Sequence, residues 1–329
     1  MLQIPATHPS LDQIRDAQTA LRGRVIRTPV LSLNQAPIAQ LLDNAASVSM
    51  KLELFQHAGS FKARGNLLGL DRLDTDERAA GVIAASGGNH ALAVSWAANS
   101  QGVRAKLIMP KATDPIRVKG CKRLGAEVHL VENIAAAFDE MNRIAAEDGS
   151  TVMHPFEGGH MTLGAATLGA EILEDLPDID CMIVAVGGGG LISGVSSAIR
   201  QAKPDCEIIG VEPIGADSLS RSFEDGEPVR IGKVDTIADS LGSPAALPYS
   251  FSVARKFVNR MVRIEDHLMV DAMILMRDTL KIMAEPACAA ALAAATGPLR
   301  EALAGKNVCI LACGSNIGPE RFRALLAGR

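Results

Sequence analysis

The sequence predicts an α/β fold built from two open parallel-sheet units. Short β-rich runs alternate with helical stretches along most of the 329 residues, and this alternation is typical of parallel sheets covered by helices. No fixed-period repeat and no low-complexity linker separates the two series of elements, so we expect a crevice between the units. Ligands of α/β proteins bind at the carboxyl ends of the strands, in a crevice of this kind.

The composition excludes several classes of function. The chain is 48% hydrophobic and its formal net charge is −4, so it can bury a large core but lacks the clustered Lys and Arg that bind nucleic acid or an anionic membrane. The N-terminus shows no basic segment followed by an apolar one, and the six cysteines form no CxxC pair. We therefore expect a cytoplasmic protein with reduced thiols that binds a small molecule.

The first series of elements begins at the N-terminus. Ser10 and Gln13 have the spacing of a capping box, which predicts a helix over residues 10–23. Residues 48–54 alternate between apolar and polar side chains, the pattern of a strand. The β-rich runs VIAA, KLIM, EVHLV and TVMH follow, separated by helical stretches. Residues 75–150 are therefore predicted to form one compact α/β unit.

A second series occupies the rest of the chain. Its predicted strands are CMIVAV, EIIGVE and NVCILAC, and its main predicted helices cover residues 161–176 and 269–284. The apolar stretch over residues 181–199 has the length of a membrane span. Four glycines interrupt it, however, so the stretch predicts a strand, a turn and a helix.

The strongest local motif is VAVGGGGLISGV, residues 184–195. A strand that runs into the glycines Gly187–Gly190 and then into a helix directs several backbone N–H groups at one point, which suits a phosphate. The motif lacks the Gly-Lys-Ser/Thr of a mononucleotide P-loop. A dinucleotide site stays open as an alternative, because Glu212 ends the next strand, but Ser193 stands where the fingerprint needs its third glycine. A cofactor with one phosphate fits the loop best.

A single phosphate together with Lys62, in the run HAGSFKARGN, suggests pyridoxal phosphate, whose aldehyde condenses with a lysine amine. Four motifs stand in the order and spacing of one known family: GSFKARG, ASGGNHA, GGGGLISG and CGSN. The chain resembles the fold-type II (tryptophan synthase β-like) pyridoxal-phosphate enzymes, and among them the threonine/serine dehydratases and serine racemases. The resemblance covers nearly the whole chain.

The resemblance implies an architecture and a set of roles. It places the cofactor in the cleft between a large cofactor-binding domain, residues 1–74 and 151–329, and a small α/β domain, residues 75–150. Lys62 is implied to hold the cofactor covalently and then to remove the α-proton of the substrate. The other implied cofactor-binding residues are Phe61, Asn89, Gly187, Gly188, Gly189, Gly190 and Cys313. The implied substrate-binding residues, on the turn that holds the carboxylate, are Ser86, Gly87, Gly88 and His90.

Three departures from the family pattern affect these roles. Residues 164–167 read GAAT where many dehydratases read Gly-Gln-Gly-Thr, and residues 236–244, expected to border the substrate side chain, read TIADSLGSP. Relatives with a divalent-cation site (Mg or Ca) use a Glu, a carbonyl and an Asp. Here Glu212 and Ala216 match, but Ser218 takes the third position, which weakens the prediction of a cation.

The resemblance implies a pyridoxal-phosphate-dependent ammonia-lyase that converts a small L-β-hydroxy-α-amino acid of the threonine/serine type to a 2-oxo acid and ammonia. A homodimer is implied as well. Alternatives are a serine racemase, a dehydratase of 3-hydroxyaspartate or of a hydroxyectoine-pathway intermediate, a nicotinamide-dependent oxidoreductase and a non-catalytic amino-acid sensor. Gly87 stands where serine racemases carry their second acid, a serine, so little racemisation is expected.

Overall fold

The structure, a computed structural model, describes residues 5–35 and 37–327. The strands in this part of the chain, numbered in order, are β1 Val30–Ser32, β2 Ser47–Lys51, β3 Val82–Ala85, β4 Ala105–Pro110, β5 Glu127–Val131, β6 Thr151–Val152, β7 Cys181–Ala185, β8 Glu207–Pro213, β9 Arg260–Ile264 and β10 Asn307–Leu311. One sheet has the order β1-β2-β10-β7-β8-β9 and the other β5-β4-β3-β6. All pairings are parallel except β1 with β2, which is antiparallel.

Helices cover the sheets. They are α1 Leu11–Leu21, α2 Ile38–Leu41, α3 Lys62–Leu70, α4 Thr75–Ala80, α5 Asn89–Ser100, α6 Pro115–Arg123, α7 Ile134–Asp148, α8 Gly159–Asp175, α9 Gly190–Ala202, α10 Ser218–Asp225, α11 Pro248–Phe257, α12 Asp266–Leu275, α13 Pro286–Thr296 and α14 Pro319–Leu326. Every residue of β3 and of β7 is buried, as expected for parallel strands that are covered on both faces.

The predicted α/β class is confirmed, with local differences. The capping box of Ser10 and Gln13 begins α1 as predicted. The strand predicted over residues 48–54 ends at Lys51, because a 3-10 turn takes up the backbone from Glu53 to Phe55. The helix predicted over residues 269–284 leaves the α conformation after Leu275 and continues as a π turn.

The two sheets draw on different parts of the chain. The strands of the smaller sheet lie between residues 82 and 152, and those of the larger sheet lie before and after them. The last strand of the smaller sheet, β6, comes just after residue 150. The division into domains of residues 75–150 and of residues 1–74 with 151–329 stays a prediction.

Glycines bring α8 into backbone contact with both α3 and α9. A Cβ atom added to Gly164 would lie 2.3 Å from the backbone N of Gly65, and one added to Gly194 would lie 2.3 Å from the carbonyl O of Thr162. No side chain fits at these crossings. Because α3 begins at Lys62 and α9 begins at Gly190, α8 sets the distance between the lysine and the glycine loop.

A buried ion cluster holds the first turn of α3. The Arg64 guanidinium donates to Glu53 at 2.8 Å and to Glu171 of α8 at 2.9 Å, and the Lys51 amine donates to Glu171 at 2.7 Å and to Asp175 at 2.8 Å. Arg64, Lys51 and Glu53 are each at most 1% exposed. Removal of one partner from such a cluster leaves an uncompensated buried charge, so the cluster fixes α3 against α8.

We predict that Gly164→Ala destabilises the protein by about 2 kcal/mol or more, because the new methyl group forces α3 and α8 apart. Urea denaturation followed by circular dichroism measures the change. Gly232→Ala is the matched control, since a Cβ atom at Gly232 meets nothing within 4 Å. Equal denaturation midpoints for the two variants would show that the crossing tolerates a side chain.

Candidate active site

A cavity of about 670 Å³ opens where the carboxyl ends of β3, β4, β7 and β10 meet. Segments far apart in sequence line it, as expected at the strand ends of an α/β protein. All the predicted cofactor- and substrate-binding residues lie on its wall: Phe61, Lys62, Ser86, Gly87, Gly88, Asn89, His90, Gly187, Gly188, Gly189, Gly190 and Cys313.

Lys62 is the first residue of α3, and its side chain reaches into the cavity. The Nζ atom donates to the carbonyl O of Pro155 at 2.6 Å. Burial lowers the pKa of Lys62 from 10.5 to about 8, because a charged ammonium loses its hydration there. The amine is therefore available in its neutral form, the form that acts as a nucleophile or a base.

The glycine loop connects β7 to α9. Gly189 precedes the helix with φ +88°, and no side chain caps the helix N-terminus. A Cβ atom on Gly188 would lie 2.2 Å from the ring of Phe156, and one on Gly187 would lie 3.1 Å from the Cα of Leu241. The loop therefore requires glycine, and its N–H groups at the helix N-terminus suit an anion.

The turn that precedes α5 is held by side chains. The Ser86 hydroxyl accepts from the Gly88 N–H at 3.1 Å. The Asn89 amide donates to Glu285 at 2.5 Å and accepts from Asn316 at 2.7 Å. Neither the Asn89 nor the His90 side chain caps α5, because no side chain forms a capping hydrogen bond at its N-terminus. The Asn89 side chain is instead fixed at the cavity wall by partners from the other side of the cleft.

The His90 ring is committed to protein partners. Burial lowers the pKa of His90 well below its usual value, so the ring is neutral. Nε2 lies 2.8 Å from the carbonyl O of Met153, to which it donates, and Nδ1 then accepts from the Asn66 amide at 3.4 Å. The imidazole therefore holds the turn in place, and its part in substrate binding stays a prediction.

Cys313 follows β10 and is 5% exposed. Its Sγ lies 3.7 Å from the carbonyl O of Ala287. Burial raises the pKa of Cys313 well above that of a free thiol, so the group at this wall is a neutral thiol. Glu285, which immediately precedes α13, is also buried at 1% exposure. Burial raises the pKa of its carboxyl group as well.

The cavity wall contains an ion network that the sequence did not predict. Arg117 of α6 donates to Asp239 at 2.7 Å, to Glu285 at 3.1 Å and to the carbonyl O of Gly87 at 3.2 Å. These contacts connect α6 and the turn before α5 to Asp239 and Glu285, which belong to the part of the chain that forms the larger sheet. Its only sequence signal is a basic residue in a helix, which is more typical of a solvated face.

Comparison with known proteins decides the family. Residues 21–314 match the family described as "Pyridoxal-phosphate dependent enzyme". The chain belongs to this family. It is 45% identical over 317 residues to a phenylserine dehydratase of Ralstonia pickettii, with 96% of each chain covered. It is 35% identical over 309 residues to an L-threonine ammonia-lyase of Thermotoga maritima, with 94% of this chain and 76% of that one covered.

The fold of this pyridoxal-phosphate enzyme is also found in solved structures. The structure of maize serine racemase superimposes with a TM-score of 0.90 at 31% identity and covers 98% of both chains. The fold-type II assignment is therefore confirmed. The nicotinamide alternative depended on Glu212, the acidic residue that ends the strand after the glycine loop. Both carboxylate oxygens of Glu212 instead accept backbone N–H groups, from Leu219 and Ser220, so this alternative loses its support.

Pyridoxal phosphate is the cofactor of this family, and the cavity fits it. The uncapped N-terminus of α9 behind a loop that admits no side chain suits the phosphate. The Lys62 amine, which reaches into the cavity and has a lowered pKa, suits the aldehyde. When bound, the cofactor withdraws electrons from the α-carbon of an amino acid.

The predicted cation site of Glu212, Ala216 and Ser218 lies outside this cavity, and a divalent cation there stays a prediction. The two carboxylate oxygens of Glu212 accept the N–H groups of Leu219 and Ser220 at 3.0 and 2.7 Å. The neighbouring Asp217 is paired with Arg221 and Arg263. Residues 5–35 and 37–327 contain no group of three or more His, Cys, Asp or Glu side chains that could hold a metal.

We predict that covalent attachment of pyridoxal phosphate to the apoenzyme speeds up about tenfold per pH unit below pH 8 and then levels off, since the neutral Lys62 amine is the attacking form. Its pKa is lowered to about 8, so the neutral fraction grows as pH rises to that value. Stopped-flow absorbance measures the rate. Lys62→Ala is the control for non-specific attachment, and an inflection near pH 10.5 would contradict the lowered pKa.

Proposed function

We propose that this enzyme is an ammonia-lyase that dehydrates a small L-β-hydroxy-α-amino acid to a 2-oxo acid and ammonia. The observation that carries the proposal is the half-buried Lys62 side chain, whose amine has a lowered pKa, in one cavity with the glycine loop and the turn before α5. The names of the relatives, a phenylserine dehydratase and an L-threonine ammonia-lyase, support the lyase class. Threonine or serine is the default substrate.

In this proposal the glycine loop binds the phosphate, and the turn of residues 86–90 orients the substrate carboxylate. Lys62 Nζ accepts the proton from the α-carbon. The β-hydroxyl then leaves with a proton as water, and the unsaturated amine released gains a water molecule to give the 2-oxo acid and ammonia. In the structure the Lys62 amine donates to the carbonyl O of Pro155, a neutral partner that stabilises the charged form of the amine less than a carboxylate would.

The neutral thiol of Cys313 supports elimination. In this proposal Cys313 lies beside the ring nitrogen of the cofactor, and a thiol supplies no negative charge there, as an aspartate would. A weaker electron sink is enough for reactions that expel a β-leaving group. The other proposed contacts of the cofactor are those of Phe61 and Asn89, both on the cavity wall.

Dehydration is favoured over racemisation because the turn lacks a second acid at position 87. Gly87 has no side chain, and a Cβ atom added there would lie 2.5 Å from Oγ1 of Thr113. The space that a serine at this position would occupy is therefore filled. An unpositioned water is a poorer acid than a fixed hydroxyl.

The homodimer, the cytoplasmic location and the two-domain boundaries stay predictions. Among the described residues, no helix combines the length and the apolar character needed to cross a membrane.

The proposal predicts that the enzyme loaded with pyridoxal phosphate releases ammonia and a 2-oxo acid from L-threonine or L-serine. Lys62→Ala should lower turnover by about a thousandfold or more, because it removes the proposed base and the covalent anchor. Lys119→Ala, at an exposed position, is the control. Borohydride reduction followed by peptide mapping should find the cofactor on Lys62. An adduct on another lysine would overturn the site assignment.

We further predict that little D-serine forms from L-serine relative to pyruvate, because Gly87 carries no acid. Chiral chromatography of the reaction measures both products. The double variant Gly87→Ser with Thr113→Ala, which makes room for the new side chain, should raise the share of D-serine, and Thr113→Ala alone is its control. Comparable rates of D-serine and pyruvate formation by the natural enzyme would favour the racemase alternative.

A further inference from the structure

We infer that one wall of the cavity is a binding subsite for an aryl group on the β-carbon of the substrate. The inference rests on the proposed function and names its substrate class: β-hydroxy-α-amino acids with an aromatic side chain. The wall, called the apolar wall below, consists of Ile134 and Phe138 of α7, Phe156, and Pro110 at the end of β4.

The cavity gathers an unusual share of the aromatic residues. Phe, Trp and Tyr make up only 3% of the chain, with eight phenylalanines, yet three phenylalanines line this one cavity. Two of them, Phe138 and Phe156, belong to the apolar wall. Ile134 lies one helical turn before Phe138 on α7, on the same face. It remains 44% exposed, so a ligand side chain that covered it would gain apolar burial.

The apolar wall is preformed. The His154 ring lies between the two phenylalanines, with its centroid 6.2 Å from that of Phe138 and 4.8 Å from that of Phe156. Burial lowers the pKa of His154 to about 4, so its Nδ1 is unprotonated and accepts the N–H groups of Phe156 and Glu157 at 3.3 and 2.9 Å. The His154–Phe156 contact is edge-to-face, one of the arrangements in which aromatic rings attract each other, so a further ring could be added in the same way.

The apolar wall also adjoins the reacting centre. Pro155, whose carbonyl O accepts from the Lys62 amine, immediately precedes Phe156. The Phe156 ring packs on the glycine loop, since a Cβ atom on Gly188 would lie 2.2 Å from it. A group attached to the β-carbon of a substrate at Lys62 is therefore within reach of this wall.

Another part of the cavity lining is unsuited to a hydrocarbon ring. It carries Asp239, Arg321 and Ser240, and Arg117 forms ion pairs there with Asp239 and Glu285. A ring placed there would desolvate charged groups without giving them a partner. The distribution of charge therefore directs an aryl side chain to the apolar wall and not to residues 236–244, which the sequence predicted to border the substrate side chain.

The test compares two substrates on the enzyme loaded with pyridoxal phosphate. L-threonine and L-threo-3-phenylserine are assayed for ammonia release. Phe138→Ala should lower the ratio of kcat/KM for phenylserine to that for threonine by about tenfold or more, the usual scale for apolar contacts in specificity. Ile134→Ser should lower the same ratio. It replaces a 44% exposed side chain, so it tests the apolar wall even if Phe138→Ala fails to fold.

Ile116→Ser is the matched control. Ile116 lies in the first turn of α6 and is 47% exposed, close to the value for Ile134, but it is not among the residues that line the cavity. The control should leave the ratio unchanged. Equal effects of the Ile134 and Ile116 substitutions, or equal loss of both substrates in Phe138→Ala and Ile134→Ser, would overturn the subsite.

A binding measurement separates the subsite from the reaction. L-phenylalanine and L-alanine carry no β-hydroxyl, and their binding is followed by the change in cofactor absorbance. Phe138→Ala and Ile134→Ser should weaken binding of L-phenylalanine about tenfold and leave that of L-alanine unchanged. If the natural enzyme released no ammonia from either hydroxy amino acid, the proposed function would fail, and this titration would still decide whether the apolar wall binds an aryl group.

Discussion

The close packing of α8 against α3 and α9 is the constraint on which the site depends. The backbones touch at Gly164 and Gly194, where no Cβ atom fits. Helices in contact at this distance cannot slide without a clash. Because α3 begins with Lys62 and α9 begins at the glycine loop, the contacts hold the reactive amine and the anion-binding N–H groups at one separation, in a cavity whose walls come from both sheets.

Buried charge is used in two opposite ways in this structure. Lys51 is 0% exposed and donates to two carboxylates, those of Glu171 and Asp175, so its charge is compensated and helps to hold α3 against α8. Lys62 donates to a carbonyl oxygen, and burial lowers its pKa to about 8. The same type of side chain is structural in one setting and reactive in the other because its partners differ.

The strands that were predicted in the larger sheet are its central ones, and β5 and β6, at the edges of the smaller sheet, were predicted as well. A parallel strand that is covered on both faces, such as β7 or β3, has a continuous apolar sequence. β1 and β9, which lie at the two edges of the larger sheet, were not predicted. β1 has only three residues, and β9 carries Arg260 and Arg263 among its five. Edge strands of this kind are short or charged and give a weak pattern.

The sequence by itself determined the α/β class and the family, and it predicted the phosphate loop and the reactive lysine, because the residues of each of these motifs are neighbours in the chain. Only the tertiary structure decided which groups face them. Arg117, Asp239 and Glu285 come from three distant segments of the chain. Phe138 and Phe156 on the apolar wall come from two separate segments. Glu212 matched a ligand pattern in the sequence, yet its carboxylate binds the first turn of α10. Contacts between distant segments depend on how helices and strands pack, which no local pattern records.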